Sequence, residues 1–250
     1  MEHVKPEDLS LEQLLEKAST EAAYRPEFYK RLLDEALVVI TMDSHIEDGE
    51  HTLDEQSPVN IATFEDGKMP IFTSTDRIFD KGIVTEEVQI LQLRGQSLFE
   101  MARGASFVLN PYSDFGKEML PDEVERMLDG TIFSDGGHEI TLKEETQVLM
   151  GQPANYPTVM VNSLCTLYAG KPNVNAAYLA WIDNPASGTS PHLIIGLDAT
   201  GDFVSLSQET GFVAREVLGK DEIIDIIQVD DKGGISDYFI NSTKAFYTRS

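Results

Sequence analysis

The negative charge of this chain is crowded into its first 150 residues, which limits how that segment can fold. Residues 1–150 hold 13 Lys and Arg against 32 Asp and Glu, and residues 151–250 hold 6 against 11. Between Arg31 and Lys68 there is no basic side chain, but ten acids occur, among them Glu47, Asp48 and Glu50. Such a segment keeps its carboxylates on a solvated face. Its field repels nucleic-acid backbones and anionic membrane surfaces, and it speeds encounter with basic partners.

The rest of the composition is that of a globular protein, with 41% hydrophobic and 25% charged residues in a chain of 250. The start, MEHVKPEDLSLEQLLEK, carries acids where a signal peptide needs a basic flank and an apolar core. The longest apolar runs are too short to span a bilayer. A cytoplasmic protein that meets neither nucleic acid nor membrane is expected. The single cysteine, Cys165, excludes an internal disulfide framework and a multi-cysteine zinc site.

Helix and strand signals alternate in mixed order. Ser10 and Gln13 form a capping box ahead of an apolar face made by Leu11, Leu14, Leu15 and Ala18. Pro26 opens a second helix, and residues 36–42 read as a buried strand. Residues 59–64 and 69–73 flank Glu65-Asp66-Gly67, the signature of a hairpin. A strand at 88–93, a helix at 96–103 and a strand at 107–109 follow. A long polar loop then leads to a helix opened by Pro121, and a short strand is expected at 139–142.

Gly151 and Pro153 break the pattern where the charge density falls, placing domains at 1–147 and 153–250. The second domain reads as a helix at 158–168, strands at 174–182 and 193–199, and a helix over 203–218 that Gly211 should kink. A strand at 223–229 and a last helix capped by Ser236 complete it. The fold class is α+β: two small mixed α/β domains, each a short sheet with helices packed on it.

Few residues offer chemistry. Cys165 falls mid-helix between Leu164 and Leu167, away from any electropositive setting that would make a thiolate, and reads as a core residue. The acidic loop contains His45 and His51. Tested as a calcium loop with Gly49 at the sixth position, it puts Ile46 at the third, where a ligand is required, so the pattern fails. Neither His138 nor His192 has a clear partner. No phosphate loop, nucleophile elbow, dinucleotide fingerprint or zinc-binding helix occurs, and no catalytic residue, cofactor or metal is assigned. The residues best suited to contact are Asn110, Tyr112, Ser113, Asp114, Phe115, Gly116 and Lys117. They combine aromatic area with groups that fix orientation.

Ordered strings along the chain carry a resemblance: LEQLLEKASTEAAYRPEFYKRLL at 11–33, PIFTS at 70–74 and LNPYSDFGKEMLP at 109–121. PHLIIGLDATGD at 191–202, IDIIQVDDKGGIS at 224–236 and FYTR at 246–249 continue it. The chain resembles the bacterial SseB family of enhanced serine sensitivity proteins over nearly its whole length. The resemblance implies an N-terminal and a C-terminal SseB domain and a cytoplasmic protein tied to serine tolerance, but it supplies no catalytic residue. A sulfurtransferase association has followed the name, and no loop cysteine here supports it.

Two functions are expected from this reading. The first is a non-enzymatic acidic protein that binds a protein partner, basic by charge, through Glu47, Asp48, Glu50 and the loop 110–117. The alternative is a small-molecule sensor or enzyme of serine or sulfur metabolism, with a pocket between the domains.

Overall fold

A computed structural model of the protein describes residues 4–42, 60–134, 148–185, 190–219, 222–231 and 233–249. Its helices are α1 (Leu11–Thr20), α2 (Arg25–Asp34), α3 (Gly95–Met101), α4 (Pro121–Leu128), α5 (Thr158–Ala169), α6 (Phe203–Leu218) and α7 (Ile235–Ser242). Its strands are β1 (Ala36–Ile40), β2 (Met69–Phe72), β3 (Ile90–Arg94), β4 (Phe107–Leu109) and β5 (Lys117–Met119), then β6 (Leu149–Gly151), β7 (Val174–Asp183), β8 (His192–Ala199), β9 (Ile224–Gln228) and β10 (Tyr247–Thr248). The fold is α+β, with two mixed sheets of five strands.

The chain divides into two compact units, and neither is one continuous stretch. One consists of Ser10–Ser19 and Glu27–Ile132, the other of Met1–Leu9, Thr20–Pro26 and Phe133–Ser250.

In the first unit the strand order is β3-β1-β2-β4-β5. Only β2 and β4 run parallel, with Pro70 opposite Val108. The capping box forms as the sequence predicts: Ser10 N donates to Gln13 Oε1 at 2.9 Å, and Gln13 N donates to Ser10 Oγ at 3.2 Å. Leu11, Leu14, Leu15 and Ala18 are all buried. Phe28 and Leu32 of α2 are buried as well, and Phe99 meets Phe107 edge-on with ring centroids 5.0 Å apart.

In the second unit β8 lies between β7 and β9, antiparallel to the first and parallel to the second. The short strands β6 and β10 share one edge of β7, β6 opposite 181–183 and β10 opposite 176–177. Phe239 of α7 is fully buried with Ala180, Ile182, Ile194 and Val229. Gly196 makes room for it, since a Cβ there would lie 2.8 Å from both Phe239 and Val229.

Four expectations change. Residues 60–64 do not form a hairpin ladder with β2. The turn exists, with Phe64 N donating to Lys68 O at 2.9 Å and Gly67 N donating to Phe64 O at 2.9 Å, but Ile61 instead bridges Thr41. Both edges of β2 are already taken by β1 and β4, so no ladder is left for it. Helix α6 runs unbroken through Gly211, whose missing Cβ leaves space that the Arg215 guanidinium and Ile226 approach. One glycine costs a helix about 1 kcal/mol, and sixteen residues packed on a sheet absorb that. Ser236 does not cap α7: Gly234 holds that position, and Ser236 Oγ accepts from Asp230 N at 3.2 Å, closing the preceding turn. The polar loop before Pro121 is shorter than expected because 117–119 form β5. The strand expected at 139–142 lies outside the described residues.

Gly95 is the tightest backbone approach of the first unit, since a Cβ there would sit 1.9 Å from Leu32 O. Backbone cannot yield as a side-chain tip does, so Gly95→Ala should destabilise the protein by about 1–3 kcal/mol. Urea unfolding checks this, and an unchanged midpoint would contradict it.

Candidate binding site at the loop 110–117

The loop leaves β4 through Asn110, which is buried and left-handed at φ 48°. Asparagine tolerates that region because its short amide bonds locally. Here the amide clamps the end of β2. Thr73 N donates to Asn110 Oδ1 at 2.9 Å, and Asn110 Nδ2 donates to Thr73 Oγ1 at 2.9 Å. Asn110 N donates to Ile71 O, and Asn110 O accepts from Ser113 N at 3.1 Å.

Tyr112 turns inward. Its ring packs on a cluster built from Val38, Phe72 and Ile78, 5.7 Å from the Phe72 ring. Ser113 turns toward the segment Thr75–Gly82, donating to Asp80 Oδ2 at 2.5 Å. That carboxylate also accepts from Arg77 at 3.1 Å. Arg77 in turn holds Glu12 of α1 with two bonds, Nε to Oε1 at 2.9 Å and Nη2 to Oε2 at 2.6 Å. Thr73 and Ser74 add hydroxyl bonds to Glu12 Oε1 at 2.9 and 3.3 Å. Three separated stretches of chain, at Glu12, 73–80 and 110–113, thus meet in one polar network under the loop.

Electrostatics follow this geometry. Arg77 holds the Glu12 carboxyl down to about 2, against the opposing effect of burial. The Ser113 hydroxyl, with Arg77, lowers Asp80, and the two carboxylates raise Arg77. Glu12 accepts on both carboxylate oxygens and Asp80 twice on Oδ2, which suits fixing a loop.

The outer residues behave differently. Asp114 reaches Lys81 Nζ at 2.8 Å in an exposed ion pair, and Lys81 also donates to Ser113 O at 3.3 Å. Phe115 is 43% exposed. Phe79 and Ile83, around the turn tied to the loop by Asp80 and Lys81, are exposed too. Gly116 fits where a Cβ would lie 2.8 Å from Leu109 O. Lys117 leaves the group: it sits in β5, 2.8 Å from Glu123 Oε1 and over the Tyr29 ring. Glu47, Asp48 and Glu50 lie outside the described residues, as do His45, His51 and His138.

Sequence reasoning missed Glu12, Thr73, Arg77 and Asp80. They carried no local signal, because Glu12 and Arg77 are 65 residues apart. It also missed the partner of His192, whose Nε2 lies 2.9 Å from Asp225 Oδ2 across β8 and β9. Cys165 is half-buried, its thiol 3.7 Å from Phe246 O, and burial raises its pKa. Among the described residues no group of three or more His, Cys, Asp or Glu is placed to hold a metal, and no helix is long and apolar enough to cross a membrane.

A carboxyl whose folded pKa lies below its unfolded value stabilises the fold above the unfolded value. That contribution is lost as pH falls through the folded one. The Glu12 contribution should therefore disappear between an ordinary glutamate value of about 4.3 and about 2. Glu12→Gln should be less stable at neutral pH by about 1 kcal/mol, since the pair is only partly buried. Its denaturant midpoint should change less across that acid window, with the residual slope coming from Asp80. Equal acid dependence in the two proteins would contradict the assignment.

Comparison with known proteins places these residues in a family. The model of the SseB protein N-terminal domain matches residues 11–126, and that of the SseB protein C-terminal domain matches residues 142–249. Two relatives called "Protein SseB", from Escherichia coli (strain K12) and Shigella flexneri, are each 34% identical over 96% of this chain and 92% of their own. No solved structure matches the chain with significance. With both domain models in order and full-length relatives at this identity, the chain belongs to the SseB family.

Proposed function

We propose that this protein is a non-enzymatic acidic protein of the cytoplasm that binds a basic protein partner through the loop 110–117. One observation carries the reading. The inner side chains of the loop, Asn110, Tyr112 and Ser113, are consumed in fixing it, while Phe115 is left outward on a pinned backbone. An exposed aromatic on a preorganised loop binds at little cost in lost freedom. Phe79 and Ile83 on the adjoining turn extend the apolar area, and aromatic anchors of this kind dominate interface energetics.

The charge sets the partner's chemistry. The first 150 residues carry an excess of 19 acids, and this field steers a basic surface and repels an acidic one. Glu47, Asp48 and Glu50 are part of the proposal as steering charges: neutralising all three should slow association more than it speeds dissociation. Any place in serine tolerance, which the family resemblance implies, would be regulatory or protective.

The test is affinity capture from the source cell's lysate with wild type and Phe115→Ala. Wild type should retain a dominant partner at low ionic strength and lose it as salt rises past the physiological level. Phe115→Ala should lose that partner at low salt with an unchanged unfolding midpoint, because the ring is not part of the core. Equal retention by the variant, or capture indifferent to salt, would refute the proposal.

A further inference from the structure

We infer that an open cavity on the surface of the second unit is a binding site for a small organic carboxylate carrying an apolar ring or chain. The cavity is open to solvent, with a volume of about 560 Å³, and Gln152, Tyr156, Ser242 and Lys244 on its rim are exposed while Val161 at its base is buried. Its apolar wall comes from Tyr156, Phe246 and Val161, and its polar wall from Gln152, Ser242 and Lys244. All lie in one compact unit. This proposal is independent of the loop in the first unit.

The walls are held by backbone pairing. Gln152 follows β6, whose Gly151 pairs with Trp181 of β7. Phe246 N donates to Ala177 O at 2.9 Å, and β10 continues along the same strand. Val161 is buried on the first turn of α5, and Ser242 is the last residue of α7. Four elements therefore converge on the cavity from fixed positions.

The polar wall selects the ligand's charge. In a chain with more than twice as many acids as bases, Lys244 has no ion pair or hydrogen bond among the described residues. The amino end of α5, starting at Thr158 between Tyr156 and Val161, adds partial positive charge. The carboxyl end of α7 acts the other way, and Lys244 just beyond it offsets that dipole as well as serving the cavity. One ammonium with an amide and a hydroxyl suits a single carboxylate; a phosphate would favour an arginine fork. The aromatic wall takes the apolar body of such a ligand.

The test uses N-acetyl-L-phenylalanine and its neutral amide, N-acetyl-L-phenylalaninamide, titrated into the full chain by calorimetry. The acid should bind at least about tenfold tighter than the amide. Lys244→Met should bring the acid to the level of the amide and leave the amide unchanged. Lys244 is exposed, so the variant should fold, and its unfolding midpoint checks that. Ala245 also lines the cavity, so Ala245→Phe, which narrows it, should weaken both compounds. No heat with the acid, equal binding of acid and amide, or a Lys244→Met variant that binds the acid as wild type does would each overturn the inference. None of these results bears on capture through Phe115, so the two proposals fail separately.

Discussion

Arg77 holds two carboxylates at once, Glu12 from α1 and Asp80 from its own turn, and the outer face of the first unit depends on that arrangement. A guanidinium presents its donors in a rigid fork, so engaging both acids fixes the relative position of a helix and a turn. Thr73 and Ser74 then tie the end of β2 to Glu12, while Asn110 and Ser113 tie the following loop to Thr73 and Asp80. Each link is modest, because charge-assisted bonds at partly exposed sites are weakened by water. Their effect is geometric. Two left-handed residues, Asn110 at φ 48° and Lys81 at φ 58°, sit on the segments so joined. A lysine in that region costs about 1–2 kcal/mol unless its surroundings fix it.

The two units use charge differently. In the first, acids outnumber bases heavily and the ion pairs are exposed or half-buried, so most add little stability and leave a negative field. In the second, Lys171 and Glu209 pair at 2.6 Å with the carboxylate only 2% exposed. Breaking such a pair strands a buried charge, so it specifies how α5 and α6 meet without making their union much tighter. Tyr168, fully buried and bonded to Thr210 at 3.2 Å, adds a second polar registration between the same helices.

Much of the architecture was legible in local pattern. The capping box at Ser10 and Gln13, the limits of β4 and those of α6 follow from short-range chemistry and appear as expected. Ladders were harder. The turn at Glu65-Asp66-Gly67 is present, but which strand borders β2 is decided by pairing with β4, 38 residues away, and local pattern cannot see that. The short strands β6 and β10 exist only because β7 is long enough to pair with both along one edge. The site was half legible: the composition of the loop marked it out, yet Asn110 and Ser113 face inward and Lys117 belongs to a strand. Glu12, Arg77 and Asp80 gave no signal because their meaning lies in a tertiary contact. The cavity wall built from Gln152, Lys244 and Phe246 was invisible for the same reason.

Native-state amide hydrogen exchange in wild type and Arg77→Met addresses the central claim most directly, because it reads the loop residue by residue. The amides of Thr73 and Ser113 donate to Asn110 and should be protected in wild type. In Arg77→Met both should exchange at least about tenfold faster while Leu37 in β1 stays as slow as before. Unchanged protection at Thr73 and Ser113 would mean that the loop holds its shape without the network, and that Phe115 is not presented by the interactions described.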